Sequence, residues 1–135
     1  MKRFLIAAAL IAATTLSQAR DSVPMVEPGR TTITNIDGRT PGVELMRKSI
    51  VEGSAKRGWR PGKEEPGRIE LVYTKDNGRI ECVIAVAYDA DSLQMSYVSS
   101  RELGYEVKDG VPQIHPNYNK WLPSLTKDIQ AAARR

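Results

Sequence analysis

Apolar and polar positions alternate most regularly between Arg68 and Ser99. Ile69, Leu71 and Tyr73 interleave with Glu70, Val72 and Thr74, the period-2 pattern of a strand with one buried face. Asn77-Gly78 follows, the dipeptide that most favours a two-residue type I′ hairpin turn, because both of its positions need positive φ. That turn sets Tyr73 opposite Cys82, Leu71 opposite Ile84 and Ile69 opposite Val86. The connection Asp89-Ala90-Asp91-Ser92 then sets Tyr88 opposite Leu93, Val86 opposite Met95 and Ile84 opposite Tyr97. Apolar residues meet on one face at every step, which predicts a three-stranded antiparallel meander with one oily side.

Helical spacing flanks this meander on both sides. Thr40-Pro41 reads as a helix start, with a good N-cap followed by a proline where no amide donor is needed. Val43, Met46 and Ile50 then form the buried stripe, with Glu44, Lys48, Glu52 and Lys56 on the wet side. Gly53 and Ser54 are small enough to let this helix lie close to the sheet. Gly58 stands where a left-handed C-terminal cap belongs, and Trp59 is expected to fold back over the core. Arg60 to Gly67, rich in proline, glycine and charge, reads as a loop. Leu103, Tyr105 and Val107 hint at an extended segment, Lys108-Asp109-Gly110 at a turn, and Val111 to His115 at a brief returning strand. A last helix begins near Pro116 or Asn117, with Tyr118, Trp121, Leu122, Leu125 and Ile129 on one stripe. Asn119, Lys120, Lys127 and Gln130 lie opposite that stripe, and Pro123 within it predicts a kink or a fresh start. The fold class is therefore α+β: a two-layer sandwich in which a three-stranded antiparallel meander carries an N-terminal and a C-terminal helix packed on one face.

The first residues change the compartment in which this domain is placed. Lys2 and Arg3 precede an uncharged apolar run from Phe4 to Leu16, and Ser17-Gln18-Ala19 supplies small residues at the cleavage positions. This is the pattern of a signal peptide over residues 1–19, and it implies a periplasmic protein with no transmembrane segment left after cleavage. No cysteine follows the apolar run, so no lipid anchor is evident. Residues 20–39 read as a flexible or loosely packed leader, ordered at most near Ile33 and Ile36, and residues 40–135 as a single domain. Of the chain's 20 basic residues two precede Ala19, whereas all 16 acidic ones follow it, so the charge falls from +4 to +2 on cleavage. Interleaved charges of that balance give no concentrated basic face and argue against a nucleic-acid partner.

Candidate chemistry is sparse. Cys82 is the only cysteine, and the strand register turns it inward as a small buried hydrophobe. His115 is the only histidine, with no serine, cysteine or carboxylate motif to orient it. No set of ligands has the spacing of a metal site, and no cofactor is implied. Asp89-Ala90-Asp91-Ser92 opens like a calcium loop, yet Gln94 and Ser100 stand where the glycine and the closing glutamate belong, so turn chemistry is the better reading. Arg47, Lys48, Arg57, Arg60 and Lys63, together with Lys56, are diluted by Glu44, Glu52, Glu64 and Glu65 and read as a solvated face rather than a lipid-binding one.

From Arg57 onward the chain resembles a family of small exported proteins and lipoproteins of Gram-negative bacteria. The resemblance is carried by Arg57-Gly58-Trp59, Pro66-Gly67-Arg68-Ile69, Tyr97, Ser100, Leu103, Tyr105 and the run Ile114-His115-Pro116-Asn117-Tyr118-Asn119-Lys120-Trp121. It implies export and supplies no reaction and no site residues.

Two functional readings follow. In the first, this is a small non-catalytic periplasmic protein that acts by contact with a protein partner or by self-association. The register that turns Ile84 inward turns Val72, Val83 and Val98 outward in a row with no evident cover, and exposed apolar rows mark interfaces. In the second, it is a periplasmic enzyme or a binder of a small ligand or glycan, with a cleft near His115, Asn117 and Asn119.

Overall fold

The computed structural model describes residues 22–135, and the expected signal peptide lies outside the described residues. The described chain runs β1 (Val23–Pro24), β2 (Thr31–Thr32), α1 (Val43–Ala55), β3 (Arg60–Glu65), β4 (Arg68–Lys75), β5 (Ile80–Tyr88), β6 (Ser92–Arg101), β7 (Glu106–Lys108), β8 (Val111–Ile114) and α2 (Pro116–Ala133). One sheet has five strands in the order β2-β6-β5-β4-β3, and a second has three in the order β1-β8-β7.

The meander forms in the expected register. Tyr73 pairs with Cys82, Leu71 with Ile84 and Ile69 with Val86. Across the next junction Tyr88 pairs with Leu93, Val86 with Met95 and Ile84 with Tyr97. Asn77 and Gly78 both take positive φ, 57° and 85°, and the Arg79 amide donates to the Asp76 carbonyl at 3.1 Å to close the turn. At the second junction one carboxylate oxygen of Asp89 accepts from the amides of Asp91 and Ser92 at 3.0 and 2.8 Å, an Asx turn.

The α+β class holds, but among the described residues eight strands in two sheets replace the three-stranded meander. The stretch Arg60 to Glu65, expected as loop, is an edge strand in which every residue is exposed. It lacks alternation because neither of its faces is buried, and its charge, Pro61 and a bulge between Pro61 and Glu64 are the features that blunt a sheet edge. β7 and β8 form a hairpin about Asp109 and Gly110, both at positive φ.

α1 starts at Val43 rather than at Thr40-Pro41; its N-cap is Gly42, at φ 87° and with no side-chain cap. The Gly42 amide donates to the Ala90 carbonyl at 3.0 Å, so a contact with the β5–β6 loop, not a capping hydroxyl, fixes where the helix begins. Val43 consequently faces solvent while Met46 and Ile50 are buried. The far end closes as foreseen: the Trp59 amide reaches the Ser54 carbonyl and the Gly58 amide that of Ala55, a Schellman pattern with Gly58 at φ 88°.

α2 is capped by His115 with Pro116 in its first turn, and it runs unbroken through Pro123, which faces solvent. Its buried stripe is Tyr118, Leu122, Leu125 and Ile129. Gly53 brings α1 against α2 rather than against the sheet: a Cβ there would lie 2.7 Å from the Asp128 carbonyl oxygen and from the Ile129 Cα. Residues of both helices join the inward row of β4, β5 and β6 in one apolar cluster.

Residues 22–34 pack as a strap. Ile33 is 1 % exposed within the core, whereas Ile36 is 71 % exposed. β1 pairs with β8 and β2 with β6. Two amide side chains of α2 hold the strap as a neighbouring strand would. Asn119 accepts from the Val26 amide at 2.8 Å and donates to the Pro24 carbonyl at 3.0 Å. Gln130 does both with Thr34, at 3.1 and 2.7 Å. These amides are about three helical turns apart and so share a face, and this polar face of α2 binds the strap instead of lying open to solvent.

Candidate functional site

The outward side of the five-stranded sheet carries Val72 paired directly with Val83. Val98 does not complete the row. Val83 pairs with Ser99, and Val98 is the extra residue of a bulge between Val83 and Ile84. The bulge lets both Tyr97 and Ser100 lie toward the core side, where their hydroxyls meet at 2.7 Å. Val98 is 38 % exposed, whereas Val72 and Val83 are half-buried. Polar pairs border them: Arg60 to Thr74 at 3.4 Å, Arg68 to Glu70 at 3.2 Å and Arg101 to Glu81 at 3.3 Å. The outer face therefore has a small apolar centre and a rim of both charges.

His115, Asn117 and Asn119 do not converge on a cleft. His115 Nδ1 accepts from the Asn117 amide at 3.1 Å, which caps the first turn of α2. Asn119 spends its amide on the strap, and Asn117 points to solvent.

A groove of about 340 Å³ lies elsewhere, lined by Lys56, Arg57, Trp59, Tyr73 and Trp121. Its residues come from the end of α1, the turn after it, β4 and the second turn of α2. The Schellman turn swings Trp59 across the end of the core, where it is 3 % exposed. The Tyr73 ring lies 5.3 Å from that of Trp59 and 5.1 Å from that of Trp121, and the two indoles meet edge to face at 6.0 Å. Tyr73 and Trp121 are half-buried and wall the groove. Arg57 Nε donates to Asp128 at 2.6 Å, while Lys56 forms no ion pair with the described residues. The sequence holds a signal for this site, since Trp59, Tyr73 and Trp121 each occupy an inward position of the pattern, but alternation and helical spacing carry no sign of their convergence.

Several other titratable groups have structural work. Cys82 is buried, and burial pushes its thiol up to about 12. The Tyr118 hydroxyl donates to Glu27 at 3.0 Å, and burial first, then the neighbouring carboxylate, raises its pKa well above the usual phenol range. The second Glu27 oxygen accepts from the Tyr97 amide at 3.1 Å, which ties the strap to β6. Asp89 is held down to about 2, chiefly by the Asp91 and Ser92 amides. Among the basic residues of the wet face, Arg47 pairs with Glu64, Lys48 with Glu52 and Arg57 with Asp128. Among the described residues no group of three or more His, Cys, Asp or Glu is placed to hold a metal ion, and no helix is long and apolar enough to cross a membrane. No family model, curated protein or solved structure matches the chain significantly.

Proposed function

We propose that this is a small non-catalytic protein of the periplasm that acts through protein–protein contact, with the outer face of the five-stranded sheet as its contact surface and a second copy of the chain as the occupant. The observation that carries this reading is the one-sided fold: both helices and the apolar cluster lie on the inner face, and the outer face presents Val72, Val83 and Val98 inside a polar rim. That arrangement, an apolar centre with a hydrophilic margin, is the usual anatomy of a protein interface.

The rim has Arg60, Arg68 and Arg101 together with Glu70 and Glu81. A two-fold contact can place basic groups of one copy against acidic groups of the other, whereas a polyanion or an anionic membrane would meet the carboxylates as well. The five strands hold 2, 6, 8, 9 and 10 residues, and at about 4.8 Å between strands and ~3.4 Å per residue they make a face of roughly 570 Å². A standard interface buries about 800 Å² per partner, so the dimer should be weak and concentration-dependent. Export is supported by the charged start, apolar run and small residues that end at Ala19, and the mature chain should begin at Arg20 by mass spectrometry.

Val83→Lys tests the contact, because it sets a charge at the centre of the face. The expected result is a wild-type chain that dimerises in sedimentation and a variant that stays folded by circular dichroism but sediments as a monomer. A monomeric wild type, or a variant that assembles as the wild type does, defeats the proposal. An unfolded variant also defeats it, since Val83 would then be part of the monomer's interior. The contact reading is favoured over the rival cleft because His115 and Asn119 are engaged in capping and strap binding.

A further inference from the structure

We infer that the groove between α1, β4 and α2 is a binding site for an acidic saccharide: a pyranose ring seated on Tyr73 and Trp121, with its carboxylate at Lys56 and Arg57. This rests on different residues from the sheet-face contact, so either idea can fail without the other.

The cavity, about 340 Å³, is at the lower end of the roughly 300–1,000 Å³ typical of small-molecule sites. Its lining is unlike an ordinary core edge. Three aromatic rings touch one another there, and two cations complete the wall, one of them, Arg57, already paired with the Asp128 carboxylate behind it. Aromatic faces carry negative charge density and attract the weakly positive C–H edges of a saturated ring. The cations select a negative group. The guanidinium of Arg57, anchored through Nε to Asp128, leaves its other nitrogens as donors. The ammonium of Lys56, with no ion pair among the described residues, is a further one.

Hydrogen-bonding groups on the same rings narrow the ligand. Among the described residues nothing accepts from the indole N–H of Trp59 or of Trp121, and nothing pairs with the Tyr73 hydroxyl. Among the described residues the one buried side-chain polar atom left without a partner is Ser49 Oγ, so none of the three is enclosed without one. The site thus offers mostly donors, set around an aromatic surface and beside two positive charges. Its complement is an oxygen-rich anion with an apolar C–H face, which describes a uronic-acid sugar. A flat aromatic carboxylate satisfies the rings and the cations but has few oxygens for the indole donors.

Both tryptophans of the chain line this groove, so intrinsic fluorescence and the two indole N–H resonances report on it directly. The probes are a galacturonate trisaccharide, the uncharged maltotriose, and benzoate, each titrated to about 10 mM, a range that detects binding free energies beyond roughly −3 kcal/mol. The expected result is saturable movement of both indole resonances by the galacturonate trisaccharide alone. Lys56→Gln should weaken that binding about tenfold, the loss of one charge-assisted contact, and Lys56→Arg should restore most of it. Lys56 is exposed, so neither variant threatens the fold. Equal binding of maltotriose overturns the charge requirement, and preference for benzoate overturns the sugar. No response from either indole, or an unchanged affinity in Lys56→Gln, overturns the site.

Discussion

Replacing Gly53 with alanine sets two well-defined effects against each other. Gly53 lies inside α1, where alanine should favour the helix by about 0.8–1 kcal/mol because it restricts the unfolded chain. The position is also where α1 crosses α2, and an ideal Cβ there falls 2.7 Å from the Asp128 carbonyl oxygen and the Ile129 Cα. Both of those are backbone atoms of a helix, which no side-chain rotation can move aside. Comfortable separation of such atoms is about 3.5–4.0 Å, so the helices must part by close to 1 Å. A gap of that size forfeits roughly a quarter to a half of each dispersion contact along the seam, where Met46 and Ile50 share a cluster with Leu125 and Ile129.

Steric overfilling of a packed interior costs about 1–3 kcal/mol, and rigid backbone on the far side puts this case at or above the upper end. After the helix gain is subtracted, Gly53→Ala should lose about 2 kcal/mol. With a urea dependence of ~1.5–2 kcal/mol per molar, the unfolding midpoint should fall by about 1 M with the slope unchanged. Lys48→Gly compared with Lys48→Ala, at an exposed position inside the same helix, isolates the propensity term, and the glycine variant should be less stable by about 0.5–1 kcal/mol. A Gly53→Ala protein as stable as the wild type, or more so, would show that the two helices do not approach at backbone distance and that the packing described here is wrong.

Other perturbations probe separate parts of the fold. Ile84 is fully buried at the centre of the inward row, so Ile84→Ala should cost roughly 2–5 kcal/mol through lost burial and a residual cavity; a loss under ~1 kcal/mol in urea unfolding would refute the buried face. Cys82, enclosed and with its thiol pushed up to about 12, should resist a maleimide at neutral pH until urea unfolds the domain, and prompt labelling of the native protein would contradict its burial. Asp89 has its carboxyl lowered from 3.8 to about 2 by the Asp91 and Ser92 amides, so the folded state prefers its charged form, and that stabilisation is complete above the ordinary value and vanishes as pH falls through the lowered one. The midpoint difference between wild type and Asp89→Asn should therefore be steady at neutral pH and close between about pH 4 and 2; a difference that persists at the acid end would mean the turn does not hold the carboxylate.

What the sequence revealed, and what it hid, follows from how many constraints act on each residue. Leu71, Ile84 and Tyr97 must all face one way, and Asn77-Gly78 removes the last freedom of register, so the meander was legible residue by residue. Gly58 and the Asp109-Gly110 turn were legible for a similar reason: each occupies backbone that few residues tolerate. β3 was hidden because Arg60 to Glu65 buries nothing, and its pairing rests on backbone hydrogen bonds that any sequence without too many prolines can make. Thr40 misled for the opposite reason, since a favourable local cap yielded to a tertiary bond from Gly42 to Ala90. The bulge at Val98 was beyond reach of alternation, which has no way to mark an extra residue until a distant contact, here Tyr97 with Ser100, demands it. The groove falls between these cases. Its three aromatics were individually placed, but which end of the sheet each helix would cover depends on the crossing at Gly53.

The run from Ile114 to Trp121 shows why a distinctive sequence need not encode a reaction. Ile114 is buried in the core, His115 caps α2, and Pro116 supplies the fixed φ of its first turn. Tyr118 is fully buried and bonds Glu27 of the strap, and Asn119 holds the strap's backbone at Pro24 and Val26. Ile114, Tyr118 and Asn119 are specified by neighbours distant in sequence, and His115 and Pro116 by the helix start they make. Trp121 is different. The end of the core beside Trp59 needs only an apolar plug there, which a leucine provides with fewer atoms and no N–H to satisfy. A half-buried indole set against Tyr73 and open to a cation-lined groove is more than the packing requires. That surplus is what the proposed saccharide groove draws on.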